Sequence, residues 1–267
     1  LTAQCRALAR LLPPESAFSG ITVSRLLGWW LPQSAELSPF QVTVPPGCVI
    51  RRKGVRAIRR SLGVGDVIEH DGLRLTAGAR TLADLAADYS LIDLVVMADS
   101  ALRLKACSEA ELALMASRPG GRGVRTLRRA AELADARSES AMETLTRLVI
   151  VLSKLPPPTP QVDLHDELGG WLARGDLLGP DGVTVLEYDG ADHNEPARHN
   201  ADVRRWRLLE RHGFKVYPYT ALDVFRGSAQ MVADYQDALG LPRDPRAVEG
   251  WLREFDRSSF ARRPLRP

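Results

Sequence analysis

Two short apolar runs, Trp171 to Leu178 and Val183 to Asp189, carry acids where a sheet would place its interior, and nothing else in the chain limits its fold as strongly. Leu177, Leu178, Val183, Val185 and Leu186 belong in a core, yet Asp176 and Glu187 sit among them. A carboxylate buried without a partner is very costly. Positive charge must compensate, and a divalent cation is the expected source. If Asp181-Gly182 is a two-residue hairpin turn, Asp176 lies opposite Glu187 and Arg174 opposite Asp189, with facing Cβ atoms about 5 Å apart. A three-residue Pro180-Asp181-Gly182 loop would instead turn Glu187 to the other face. The first register is preferred because it explains acids in apolar strands.

The elements around this hairpin follow from periodicity and punctuation. Ser138 to Leu155 predicts a helix with Met142, Leu145, Leu148, Val149 and Leu152 on its apolar side, stopped by Pro156-Pro157-Pro158. Gln161 to His165 predicts a strand, Pro196 to His212 a long helix closed by Gly213, and Phe214 to Tyr217 a last strand. Helices are expected around Ala221 and from Ser228 to Leu239. The first part predicts helices at Thr2–Leu12 and within Ser16–Leu31. Strands follow at Gln41–Val44, Gly54–Leu62 and Leu73–Thr76, then helices from Thr81, Leu91, Ser108 and Val124. The expected fold is α+β: an N-terminal mixed β/helical module (1–137), a second module with a mixed sheet (138–242) and a C-terminal helical tail (243–267).

A chain of 267 residues can build two modest cores. With 45% hydrophobic and 26% charged residues it has globular composition, and the net charge of +3 neither demands nor excludes nucleic acid. Cys5, Cys48 and Cys107 are widely spaced and form no CxxC pair, which points to reduced thiols in a cytoplasmic protein. No secretory leader or membrane span is legible.

Magnesium, or manganese in its place, suits paired carboxylates. It takes oxygen ligands, retains waters and binds substrate phosphate, and it polarises phosphoryl oxygens and activates water for phosphodiester hydrolysis. The basic run Arg51, Arg52, Lys53, Arg56, Arg59 and Arg60 is a candidate nucleic-acid contact, or else a charged edge strand. Arg198 and Arg204, on the outer side of the long helix, are candidates to hold DNA phosphates, as is Arg174 on the hairpin. Asp202 and Arg205 are expected to form an ion pair that anchors that helix.

The pattern Asp176…Glu187-Tyr188-Asp189-Gly190-x-x-His193, followed by Asp202-x-x-Arg205, Leu209-Glu210 and Gly213-Phe214, resembles the endonuclease-like domain related to very-short-patch-repair (Vsr) endonucleases. Those belong to the PD-(D/E)XK superfamily, whose restriction-endonuclease-like core is an α/β/α sandwich. The resemblance spans roughly 138 to 240. It implies a Mg²⁺-dependent DNA endonuclease acting in repair or in defence against foreign DNA. Its catalytic set would be Asp176, Glu187, Asp189, His193 and Glu143, with Asp176, Glu187 and Glu143 holding the metal and His193 acting as general base or ligand. One departure is plain: Asp189 stands where the superfamily has Lys. In the first part, Thr43-Val44-Pro45, the Arg-rich run and Ala79-Arg80-Thr81-Leu82-Ala83-Asp84-Leu85-Ala86 resemble AbiEi-like antitoxins. That resemblance implies the alternative: a non-catalytic antitoxin or DNA-binding regulator with a degenerate nuclease fold, partnered by a cognate toxin or another protein.

Overall fold

The computed structural model describes residues 1–32, 39–190 and 196–261, with the backbone alone for 196–200. The chain is α+β with two mixed sheets. It divides into two compact units, one of Leu1–Ala136 and the stretch from Arg257, the other of Arg137–Asp256.

The first unit runs α1 (Thr2–Ala9), β1 (Ala17–Phe18), α2 (Gly20–Leu26), β2 (Phe40–Val44), β3 (Val55–Arg59), β4 (Val67–His70) and β5 (Leu73–Thr76). The helices α3 (Gly78–Leu85), α4 (Leu91–Arg103), α5 (Glu109–Ser117) and α6 (Val124–Leu133) follow. The sheet order is β3-β2-β1-β5-β4, with β2–β3 and β1–β5 parallel. Cys5 and Leu8 of α1 pack with Phe18, Val23, Val42, Val44, Leu73 and Leu75 in its core. The Arg-rich segment is shorter as a strand than expected. Arg51, Arg52 and Lys53 precede β3 as exposed irregular backbone, and β3 is an edge strand, where charge discourages pairing with other chains.

The capping box at the start of α4 has a second use. Ser90 accepts the Asp93 N–H while the Asp93 carboxylate accepts the Ser90 N–H. The same carboxylate accepts the Ser258 hydroxyl at 2.6 Å and the Ser259 N–H at 3.0 Å. These bonds tie the stretch from Arg257 to the first unit.

The second unit runs α7 (Ala141–Leu152), β6 (Thr159–His165), β7 (Trp171–Leu178), β8 (Thr184–Tyr188), α8 (Pro196–Arg211), β9 (Lys215–Tyr219), α9 (Ala221–Arg226), α10 (Ser228–Ala238) and α11 (Glu249–Phe255). The sheet order is β6-β7-β8-β9: an antiparallel meander that β9 joins parallel to β8. Helix α7 packs on β7 and β8 and against α9, α10 and α11, whereas α8 packs on β7 and β9. Leu164, Ala173, Val185 and Leu209 form a core cluster that includes α8. Residues read from the sequence as one tail, 243–267, divide between the units. Helix α11 lies in the second, with Trp251 and Phe225 stacked on Phe255.

The β7–β8 hairpin has the preferred register but a different turn. Leu177 pairs with Leu186 and Leu178 with Val185. The loop is four residues long, closed by the Gly179 N–H to the Thr184 carbonyl at 2.7 Å. A β-turn spans Gly179 to Gly182, with Pro180 second, where its fixed φ fits and no N–H is needed. Adding one residue to each arm of a two-residue loop preserves the register. Asp181 holds the loop by accepting the N–H groups of Val183 and Thr184 and the Thr184 hydroxyl.

Among the described residues no helix is long and apolar enough to cross a membrane. Cys5, Cys48 and Cys107 form no disulfide.

Candidate functional site

The meander is interrupted at Asp176. Its position on β7 lies across from Gln161 on β6, yet neither enters the ladder, and Gln161 takes the left-handed φ of 52°. Toward β8 the ladder also stops before Asp176, whose Oδ2 accepts the Tyr188 N–H at 2.9 Å. A side chain here replaces a backbone partner. The freed carboxylate thereby faces a cleft of about 730 Å³ instead of disappearing into the sheet.

Two buried carboxylates, Glu143 and Glu187, and the half-buried Asp176 meet beneath this cleft. Glu143 lies in the first turn of α7, placed by the Ser140 N-cap, whose hydroxyl accepts the Glu143 N–H. Its Oε2 accepts the Glu139 N–H at 2.7 Å and the Gln161 amide at 2.9 Å. The same amide nitrogen reaches Asp176 Oδ1 at 3.4 Å, so Gln161 bridges the two acids. Glu187, at the end of β8, is 1% exposed. Its Oε2 accepts from Arg205 at 2.8 Å, and its Oε1 has no hydrogen-bond partner among the described residues. The nearby Asp176 backbone N–H favours the charged form of Glu187.

The electrostatics record a shortage of positive charge. Burial pushes Glu187 up to about 7, and the Asp176 charge adds to this against the pull of Arg205. Burial also raises Asp176, opposed by the Tyr188 N–H, Arg205 and Gln161. Glu143 is raised by burial and then by Asp176, against the Glu139 N–H, the Ser140 hydroxyl and the Gln161 amide. Glu139, Glu143, Asp176, Asp189 and Asp202 line the cleft, and Arg205 is the one cation among the described lining residues. Its guanidinium also meets Asp202 at 3.3 Å, as the sequence suggested. Part of the compensation expected from a cation therefore comes from Arg205. Among the described residues no group of three or more His, Cys, Asp or Glu is arranged to hold a metal ion.

The remaining sequence-derived candidates divide. Asp189 lines the cleft, anchored by its N–H to the Tyr219 carbonyl at 2.8 Å. Arg174 does not face Asp189. It forms a two-nitrogen pair with Asp163 across β6, at 3.1 and 2.9 Å, because those two residues are direct ladder partners. His193 and the side chain of Arg198 lie outside the described residues. Arg204 is exposed on α8. Arg56 and Arg60 are paired with Asp88 and Asp84, and Arg59 is exposed on β3. Sequence reasoning missed Gln161, the link from Arg205 to Glu187, and the lining residues Glu139 and Trp206. Asp202-x-x-Arg205 signalled an anchored helix but not its target. Nothing in the local sequence marks Gln161.

Comparison with known proteins is sparse. No family model matches the chain, and no solved structure matches it. Two curated proteins of Mycobacterium tuberculosis, the uncharacterized protein MT2308 of strain CDC 1551 and the uncharacterized protein Rv2248 of strain H37Rv, are each 33% identical over 164 residues. The match covers 61% of this chain and 60% of each relative.

Proposed function

We propose that the second unit is a Mg²⁺- or Mn²⁺-dependent DNA endonuclease with a restriction-endonuclease-like, Vsr-related core over 138–242. The observation that carries this reading is the set of three carboxylates, buried Glu143 and Glu187 and half-buried Asp176, crowded under an open cleft with Arg205 as the one counter-charge among the described lining residues. Acids kept together at this electrostatic cost make sense where a further cation joins them. The donor set fits magnesium, which needs only one or two carboxylates and completes its shell with waters and substrate phosphate. Asp176 and Glu143 line the cleft and would hold the ion. Glu187, deeper and tied to Arg205, would strengthen the local field. The bound ion would stabilise charge on a phosphodiester and activate water. Arg205 positions Glu187 and α8, and Asp189 faces the cleft where Lys stands in the superfamily.

The test is incubation of supercoiled, linear, mismatched and single-stranded DNA with the purified chain under Mg²⁺ or Mn²⁺, beside Asp176→Asn and Glu143→Gln. Cleavage by the parent chain that both variants reduce at least a hundredfold supports the reading. Cleavage unchanged in both variants removes these residues from it.

A second reading, a regulator that binds DNA or a protein partner such as a toxin without chemistry, is favoured by the Arg205–Glu187 pair, which neutralises one acid without metal. Calorimetry that finds no carboxylate-dependent Mg²⁺ or Mn²⁺ binding, together with salt-sensitive DNA binding, selects it.

A further inference from the structure

A second cleft, in the first unit, has the opposite character. It encloses about 270 Å³ between the end of β3, α3, the end of α5 and the loop before α6, and Arg60, Arg80, Arg118 and Arg122 all line it. Its floor is apolar, from Ala83, Met115 and Leu127.

Two buried carboxylates order these arginines. Asp84 accepts from Arg80 Nε and Nη2 and from Arg60 Nη1 through one oxygen. Asp66 accepts from Arg80 Nη1 at 3.4 Å and, through its other oxygen, from Arg118 Nη1 at 2.9 Å. Arg80 is thus consumed by the scaffold and only 10% exposed. Arg60 and Arg118 each commit one nitrogen to a buried acid, and their side chains remain 49% and 45% exposed. The rest of each planar fork is held in a fixed direction without a partner among the described hydrogen bonds. Arg122 is 81% exposed and only loosely associated with Asp88, at 3.9 Å. Asp88 also pairs with Arg56. Five guanidinium groups against the carboxylates of Asp66, Asp84 and Asp88 leave a local net charge of +2.

The loop that closes the cleft is itself fixed. Arg128 donates from Nε to the Ala116 carbonyl at 3.0 Å, pinning the end of α5. Gly123 has φ 87°, and a Cβ there would lie 2.3 Å from the Ala86 carbonyl oxygen at the end of α3. Only glycine permits that approach. Arg60, Arg80 and Arg118, on the two sides of the cleft, are therefore held together before any ligand arrives.

The geometry points to a phosphate-binding pocket that takes a phosphate monoester dianion, in the first instance the terminal phosphate of a nucleic-acid strand. Several planar forks lining one small cleft match a tetrahedral dianion with many acceptor oxygens, whereas a carboxylate saturates one or two. The volume falls just below the range of whole small-molecule sites, roughly 300–1,000 Å³. A phosphoryl group therefore enters while its carrier stays outside. The neighbouring exposed cations Arg51, Arg52, Lys53 and Arg59 favour a polyanionic carrier. This inference does not rest on the acidic site of the second unit.

The test uses the full chain in EDTA, so that strand cleavage plays no part. Fluorescence anisotropy compares a 3′-labelled single-stranded dT12 with and without a 5′-phosphate at constant ionic strength, with orthophosphate as competitor. Arg118→Gln/Arg122→Gln is the variant: the glutamine amide can still donate to Asp66, and circular dichroism with a thermal melt checks that the fold is kept. The 5′-phosphate is expected to tighten binding about tenfold, the value of one charge-assisted contact. Orthophosphate should remove that gain, and the variant should lose it while binding the phosphate-free strand within about twofold of the parent. Competition by orthophosphate that the variant weakens, without a gain from the strand end, supports the pocket and assigns it a small phosphate ester. Equal binding of both strands with no orthophosphate effect, or a gain that survives in the variant, overturns it.

Discussion

Glu187→Gln should make the metal-free protein more stable, and by an amount that depends on pH. In the folded chain burial holds the Glu187 carboxyl up to about 7, against an ordinary value of 4.5. An acid whose folded pKa is raised binds its proton longer in the folded than in the unfolded state. Stability is therefore undiminished below the unfolded value, falls as pH rises from about 4.5 to 7, and stays reduced above. At about 1.4 kcal/mol per pKa unit the ceiling is about 3 kcal/mol. Asp176 shares this penalty, and Arg205 keeps a neutral acceptor in place of a charged one, so a gain of roughly 1–2 kcal/mol remains at pH 8. Urea denaturation from pH 5 to 8 measures it through tryptophan fluorescence, since Trp171, Trp206 and Trp251 belong to the second unit. With a slope near 2 kcal/mol/M, the midpoint at pH 8 should rise by about 0.5–1 M with the slope unchanged, and the difference should close toward pH 5. A variant less stable than the parent at pH 8, or a gain independent of pH, refutes the account of a strained buried acid.

Other consequences are equally concrete. Asp176→Asn removes a charge that raises both neighbours, so carboxyl carbon NMR titration should show Glu143 and Glu187 moving down; no movement contradicts the described proximity. Burial holds Glu143 and Asp176 high while the Gln161 amide works against it. Gln161→Ala should therefore shift the rising limb of any metal-dependent cleavage to higher pH, and an unshifted profile removes Gln161 as a positioning residue. Gly250→Ala would set a Cβ 2.1 Å from the Leu152 carbonyl oxygen where α11 crosses α7, and should cost about 2–3 kcal/mol in thermal unfolding. An unchanged melting temperature would show that the helices separate freely.

What the sequence disclosed follows from how local each signal is. Trp171 to Leu178 reads correctly to the residue because turn residues bound it on both sides, and the start of α6 at Val124 because Gly120-Gly121 and Gly123 precede it. β1 was hidden because Ala17 and Phe18 are a strand only through partners on β2 and β5, and β4 because Glu69 and His70 give an exposed strand no apolar rhythm. The hairpin register survived a mistaken turn because apolar pairing, not loop length, sets which residues face each other. Arg174 was assigned to Asp189 by counting across β8, whereas its partner lies across β6, a strand whose alignment the sequence left open. Arg205 was visible with Asp202 three residues away but not with Glu187, because a contact between a helix and a distant strand end leaves no mark in spacing. Gln161 carries no signal, since its left-handed backbone arises only where two strands part around Asp176.

The bond from Asp93 to Ser258 and Ser259 sets an order of events during synthesis. The helix it caps is complete in sequence by residue 103, yet the partners of its carboxylate emerge only after the whole of Arg137–Asp256 has been translated. At roughly 5–20 residues per second that is a wait on the order of ten seconds, during which an acid destined for the interior lacks two of its donors. The half made first is thus the half finished last, and a nascent chain halted before residue 258 should leave it open to proteases that the released protein resists.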